Sequence, residues 1–158
     1  VKRFTLAGDS PLHVDRIEAR ELAAWRKLNL PRVALTVADT RLRANLSGEL
    51  SAPYALRGEL DWQRPAAPAT VPKVMGRLAL NGTPRTLRVT HSLSAPAELL
   101  SEGTLGYRDG QVHLDLTHRW PAQPLPVETP VPVTLGEGTL TSRGTLEQVR
   151  VEGDTTVT

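Results

Sequence analysis

From Leu42 onward the chain alternates. Leu42, Ala44, Leu46, Gly48 and Leu50 are apolar or small, and Arg43, Asn45, Ser47 and Glu49 lie between them. A period of two puts each set on its own face of a β-strand. Leu56, Gly58, Leu60 and Trp62 repeat the pattern, then Leu78, Leu80 and Gly82. The apolar parity then switches to odd positions: Leu87, Val89 and Leu93, then Leu105 and Tyr107. Further runs are Val112, Leu114, Leu116 and Trp120; Gly138, Leu140, Ser142 and Gly144; and Val149, Val151, Gly153, Thr155 and Val157.

The turns fit these faces. Asp109-Gly110 is a two-residue hairpin signal, because both central positions of a type I′ turn need positive φ. Folding there pairs Tyr107 with Val112 and Leu105 with Leu114. A turn at Thr83–Thr86 pairs Gly82 with Leu87 and Leu80 with Val89. One at Ala38–Arg41 pairs Val37 with Leu42 and Leu35 with Ala44. One at Thr145–Gln148 pairs Gly144 with Val149. Independent hairpins that all deliver one apolar face predict an antiparallel meander of roughly nine strands, about 40 Å across.

Helix signals are scarce. The best is Glu21–Leu28, where Ala23, Ala24, Trp25 and Leu28 fit two turns before Asn29 and Pro31; an irregular loop anchored by Trp25 is the competing reading. Two Pro-rich connections, Arg64–Lys73 and Pro121–Pro132, are unfit for central strands and read as extended linkers or edge segments.

The chain also repeats itself. Ser51-Ala52-Pro53 returns as Ser94-Ala95-Pro96, and a Gly-x-Leu follows each, at Gly58 and Gly103. Trp62 and Trp120 each open a Pro-rich connection. Gly76-x-Leu78-x-x-x-Gly82-Thr83 matches Gly138-x-Leu140-x-x-x-Gly144-Thr145 at an offset of 62 residues, and Leu87-x-Val89 matches Val149-x-Val151. The whole of residues 1–158 reads as one repeat-built domain with imperfect copies at about 51–93 and 94–157. Stacked units of this kind predict an elongated body. The chain opens at Val1 rather than Met, which is expected of a slice of a longer protein.

A whole face of Leu, Val and Gly needs cover. The sheet must close into a barrel, fold into a sandwich, or curl around something apolar. Aromatics make up 4% of the chain, with one Phe. A packed sandwich core draws on large aromatics and Ile, so this poverty favours the curled sheet. The dry core of an ordinary sandwich or barrel is the plain alternative.

Charge and composition narrow the function. The formal net charge is +2, too small to argue for nucleic acid, and base-stacking aromatics are few. There is no Cys, which excludes a disulfide framework, a thiolate metal site and a cysteine nucleophile. No apolar run approaches the ~20 residues of a membrane-spanning helix. No nucleophile elbow or phosphate loop occurs, so neither an enzyme nor a cofactor is expected. Of His13, His91, His113 and His118, strand parity puts His113 and His118 on opposite faces. His91 and His118 share the apolar parity and form a conceivable metal pair, against the plainer reading of hydrogen-bonded histidines; no metal is expected. Arg57, Arg77, Arg88, Arg143 and Arg150 alternate with Glu59, Asp61, Glu102 and Glu152, as a solvated outer face does.

The Gly-x-Leu-x-x-x-Gly-Thr units, the Ser-Ala-Pro steps and the stacked Leu/Val strands resemble the TamB proteins of the translocation and assembly module, within the wider AsmA-like bridge family. The resemblance spans about Val33 to Val157. It implies an all-β fold: an elongated curled antiparallel sheet, or β-taco, with a hydrophobic concave groove and at most one short helix. It also implies a periplasmic segment of a protein anchored in the inner membrane of a Gram-negative bacterium. Such a protein carries phospholipids without chemistry and supports outer-membrane protein and autotransporter assembly with an outer-membrane barrel partner of the TamA type. Acyl chains are then expected along Leu46, Leu60, Leu78, Leu80, Leu87, Val89, Leu105, Leu114, Leu116, Leu140, Val149 and Val151. The competing readings are a scaffold that binds client strands by β-augmentation, and a sandwich module using Trp25, Trp62 or Trp120 on sugars. These three tryptophans otherwise read as end anchors packing the Pro-rich connections.

Overall fold

A computed structural model of the chain describes residues 4–6, 12–18, 26–66, 72–124 and 133–157. These residues contain no helix. They form β1 (Phe4–Leu6), β2 (Leu12–Glu18), β3 (Lys27–Val37), β4 (Thr40–Glu49), β5 (Leu56–Arg64), β6 (Val74–Thr83), β7 (Thr86–Ala95), β8 (Leu99–Arg108), β9 (Gln111–Trp120), β10 (Gln123–Pro124), β11 (Thr134–Thr145) and β12 (Val149–Val157). All belong to one antiparallel sheet in which neighbours in sequence are neighbours in space. β10 prolongs the line of β9 past Pro121, since Trp120 faces Gly138 and Gln123 faces Leu135 across β11. The Gln123 side chain fastens this extension to β8: its Oε1 accepts from the Glu98 amide (2.7 Å) and its Nε2 donates to the Glu98 carbonyl (3.0 Å). β1 and β12 lie at opposite ends and do not pair, so the sheet does not close into a barrel.

Three of the four expected hairpins have the expected register. Tyr107 faces Val112 and Leu105 faces Leu114. Leu80 faces Val89, and Gly144 faces Val149. Asp109 (φ 53°) and Gly110 (φ 78°) both have positive φ, as a type I′ turn requires. The fourth hairpin differs. Val37 faces Thr40 and Leu35 faces Leu42, because the chain reverses in two residues with Ala38 at φ 50°. A tighter turn slips the pairing by two positions, which leaves every side chain on its expected face.

The expected helix is not found where it can be checked. Leu28 lies in β3, while residues 21–25, including Trp25, fall outside the described residues. β3 carries its apolar residues at Leu28 and Leu30, then at Val33 and Leu35. A bulge between Leu30 and Val33, at Pro31-Arg32, absorbs the change of parity. A bulge is one of the few places where a strand accepts proline.

The sheet is a single layer. Each strand makes its substantial contacts only with its ladder neighbours. Val33 and Val89 are the only buried apolar residues among those described, and no side chain is fully enclosed. The chain exposes 11557 Å². A compact monomer of 17.2 kDa exposes about 7,800 Å². The dry core of a sandwich or barrel is therefore absent among the described residues. Cohesion comes from the ladder and from cross-strand side-chain pairs, each contributing about 0.2–1 kcal/mol.

The repeat is visible in space. Trp62 faces Gly76 and Trp120 faces Gly138. A Cβ at Gly76 would lie 2.9 Å from the Trp62 ring, and one at Gly138 would lie 2.3 Å from the Trp120 ring. Each indole thus covers the glycine of the next strand, an aromatic-over-glycine pairing that pins register. The Trp120 Nε1 also donates to the Gly136 carbonyl at 3.0 Å. Both tryptophans thus pack against glycines of neighbouring strands; most of the two Pro-rich connections lies outside the described residues. Both Ala-Pro steps, Ala52-Pro53 and Ala95-Pro96, are cis.

Candidate apolar binding face

All twelve residues expected on the apolar side lie on one face. One cross-strand row runs Leu46, Gly58, Leu80, Val89, Gly103, Leu116, Ser142, Val151, from β4 to β12. Below it run Leu60, Leu78, His91, Ser101, His118 and Leu140. Above it run Leu56, Gly82, Leu87, Leu105, Leu114, Gly144 and Val149. Residues directly opposite across a ladder share a face, so these rows make one apolar surface. Val89 is 7% exposed, whereas Val149 and Val151 on the outermost strand are 44% and 54% exposed. The other nine are half-buried.

Glycine shapes this surface. A Cβ at Gly58 would come within 2.5 Å of Leu46 Cδ2, so the leucine leans across the space the glycine leaves. At Gly82 the φ of +142° and the Thr86 carbonyl, 2.2 Å from an added Cβ, both demand glycine.

A polar group interrupts the lower row. The His118 Nδ1 lies 2.8 Å from the Ser101 hydroxyl, and its Nε2 lies 3.1 Å from the Ser142 hydroxyl. A neutral imidazole has one donor and one acceptor nitrogen, so one serine accepts from it and the other donates to it. Ser101 is 5% exposed and fully satisfied by this arrangement. His91 stacks on Trp62, with ring centroids 5.9 Å apart and planes 8° from parallel. Burial pushes the His91 pKa below its ordinary value, and the neighbouring His118 pushes it the same way.

The strand parity of His91 and His118 therefore holds. Both His118 nitrogens are occupied by hydroxyls, and no group of three His, Asp or Glu among the described residues is placed to hold a metal. His113 falls on the opposite face, against Gly106 and Thr145. The serine partners were missed at the level of sequence. Ser142 does sit on the apolar parity, and a hydroxyl among leucines there was the available signal.

The outer face is solvated and mixed in charge. Arg77 contacts Glu59 at 2.6 Å and Asp61 at 3.7 Å, and these partners raise its already high pKa. Arg119 pairs with Glu102 (3.4 Å), Arg143 with Asp115 (3.0 Å) and Arg150 with Glu152 (2.5 Å). Clefts among the described residues lie mainly at strand ends and on this face. One of about 770 Å³ sits between the turns that carry Tyr54, Pro84 and Asp109. No helix among the described residues is long and apolar enough to cross a membrane.

The chemistry such a face offers is adhesion to apolar matter. Rows of half-buried leucine gain about 25 cal/mol per Å² when covered. That attraction is non-directional and asks little of its ligand beyond length and greasiness. No family model, curated protein or solved structure matches this chain.

Proposed function

We propose that this chain is a segment of a hydrophobic conduit that carries phospholipid acyl chains along its apolar face. The observation that carries the reading is a sheet from β3 to β12 whose Leu/Val side has no covering layer from the described chain. The resemblance to TamB and the AsmA-like bridge proteins supplies the setting. In this reading the sheet curls into a groove open to lipid and lies in the periplasm as part of an inner-membrane-anchored protein. There it passes phospholipids toward the outer membrane and assists outer-membrane protein and autotransporter assembly beside a TamA-type barrel. Transport is sliding along a continuous track and needs no catalytic residue.

The test is native mass spectrometry of protein purified without detergent, joined to a vesicle-to-vesicle lipid transfer assay. Co-purified phospholipid is expected, along with loss of transfer in Leu80→Arg and Leu114→Arg, which place an unpaired charge in the apolar rows. Lipid-free protein, or a well-folded arginine variant that transfers lipid at the wild-type rate, contradicts the reading.

A second reading rests on the outer edge of β12, which carries no strand among the described residues: there a client strand is taken up by β-augmentation. It predicts peptide binding by protein that carries no lipid.

A further inference from the structure

We propose that His91, His118, Ser101 and Ser142 form a docking point on the apolar face for the phosphodiester group of an anionic lipid. The proposal rests on the conduit reading and adds to it the place where a headgroup is held. His91, Ser101 and His118 face one another in turn across β7, β8 and β9. Leucines continue the row on both sides, Leu78 opposite His91 and Leu140 opposite His118. The two histidines are two strands apart, about 10 Å between backbones. The serine between them is short, and the His118 ring leans across it toward β7, with Nδ1 2.8 Å from the Ser101 hydroxyl. A group resting between the two rings touches both.

The hydrogen-bonding capacity of these side chains is not used up. His91 stacks on Trp62, but among the described residues neither of its ring nitrogens has a hydrogen-bond partner. Neither nitrogen is buried. His118 is held between two hydroxyls, Ser101 at Nδ1 and Ser142 at Nε2. A hydroxyl donates or accepts as it turns. A protonated His118 therefore donates to both serines with no heavy atom moving. The Ser142 O–H, turned off Nε2, is then free to donate to a ligand.

The charge on this face selects an anion. Facing the two histidines are Leu78 of β6, Trp62 of β5, Ser101 of β8, and Leu140 and Ser142 of β11. None is charged. The carboxylates nearest in the ladder, Glu102 and Asp115, lie on the outer face, paired with Arg119 and Arg143. A protonated histidine thus has no counter-ion on its own face. Burial, and then the charge of His118, hold the His91 pKa below its ordinary value. A phosphodiester between the rings supplies the missing charge, and it stays a monoanion throughout the range in which histidine titrates. Its acyl chains then lie on the leucine rows beside it.

Calorimetric titration of the whole chain tests this, with short-chain phosphatidylglycerol and with the diacylglycerol of the same chains, both below the micellar range. The two ligands differ only in the phosphodiester headgroup. At about pH 6 the phosphatidylglycerol should bind about tenfold more tightly. The preference should shrink by about pH 8, because a bound anion raises the histidine pKa and binding takes up a proton. His91→Gln and His118→Gln should each remove most of the preference, and His113→Gln on the opposite face should not. His91→Gln breaks no hydrogen bond among the described residues, so it reads the site even if His118→Gln unfolds. Glycerophosphoglycerol, the same headgroup without chains, should bind far more weakly than the lipid. Equal affinity for the two lipids, or a preference that survives His91→Gln, overturns the proposal and leaves the conduit reading standing. A headgroup that binds as tightly without its chains, or no binding of either lipid, overturns both.

Discussion

β7 and β12 are built alike and live differently. Each follows a Gly-x-Leu-x-x-x-Gly-Thr strand, and each faces that strand in the same register: Gly82 opposite Leu87, Gly144 opposite Val149. Yet Val89 is among the most buried residues described, and Val151 is more than half exposed. The difference is the strand beyond. In a single-layer sheet there is no second layer to bury a side chain, so the lateral neighbours do it. Removing one neighbour exposes an otherwise identical position.

The largest effect expected from this contrast is at the turn glycines. Gly82→Ala forces a Cβ to within 2.2 Å of the Thr86 carbonyl at a φ of +142°. It should cost about 3 kcal/mol or more by urea denaturation. Gly144→Ala meets the same clash with Gln148, at 2.1 Å. Only the β11–β12 hairpin, at the edge of the described sheet, is at stake there, so roughly half that loss is expected. Equal losses would mean that the two ends of the sheet are not energetically distinct.

The next effect is packing. Val89→Ala should lower stability by about 2 kcal/mol, whereas Val151→Ala should stay within about 0.5 kcal/mol. The same denaturation series reads both.

A smaller, pH-dependent effect marks the inner strand alone. His91 has Gly153 as its counterpart in β12, so only β7 carries a titrating group at this position. Its pKa is lowered from 6.5 in the folded state by burial and by His118. The unfolded chain therefore takes up the proton first. The associated stability is complete above 6.5 and is lost as pH falls from there through the depressed folded value. The urea midpoint should drop between about pH 7.5 and about pH 5, and His91→Leu should reduce the drop.

The smallest effect is on the outer face. Arg77 bridges Glu59 and Asp61, while its counterpart is the uncharged Thr139. Arg77→Ala should cost little, and added salt should erase the cost, because exposed ion pairs are screened.

Much of this fold could be read in the chain. Parity and turn chemistry sufficed for the hairpins at Asp109-Gly110, Pro84-Arg85 and Leu146–Gln148, because each strand keeps one parity near its turn; the bulges between Met75 and Gly76 and between Leu135 and Gly138 lie at the far ends of their strands. They failed at β3, where the change from Leu30 to Val33 imitates a broken pattern and the bulge that reconciles the two depends on the neighbouring strand. The twelve apolar-face residues were legible for the same reason as the hairpins. The Ser101–His118–Ser142 chain was not, because it joins three strands and no local spacing links them. Nor could alternation reveal whether the apolar face is covered, since a sandwich strand and an open-sheet strand carry the same pattern. Burial in the assembled sheet distinguishes them.

The central claim is that the Leu/Val face is open to whatever enters from outside. The natural chain has no cysteine, so a single thiol reports without background. In lipid-stripped protein, the thiol of Leu80→Cys on the apolar face should react with a small maleimide within about tenfold of the rate at Asn81→Cys on the outer face. A Leu80→Cys thiol that stays protected until the whole protein unfolds would show a closed, packed interior and contradict this account.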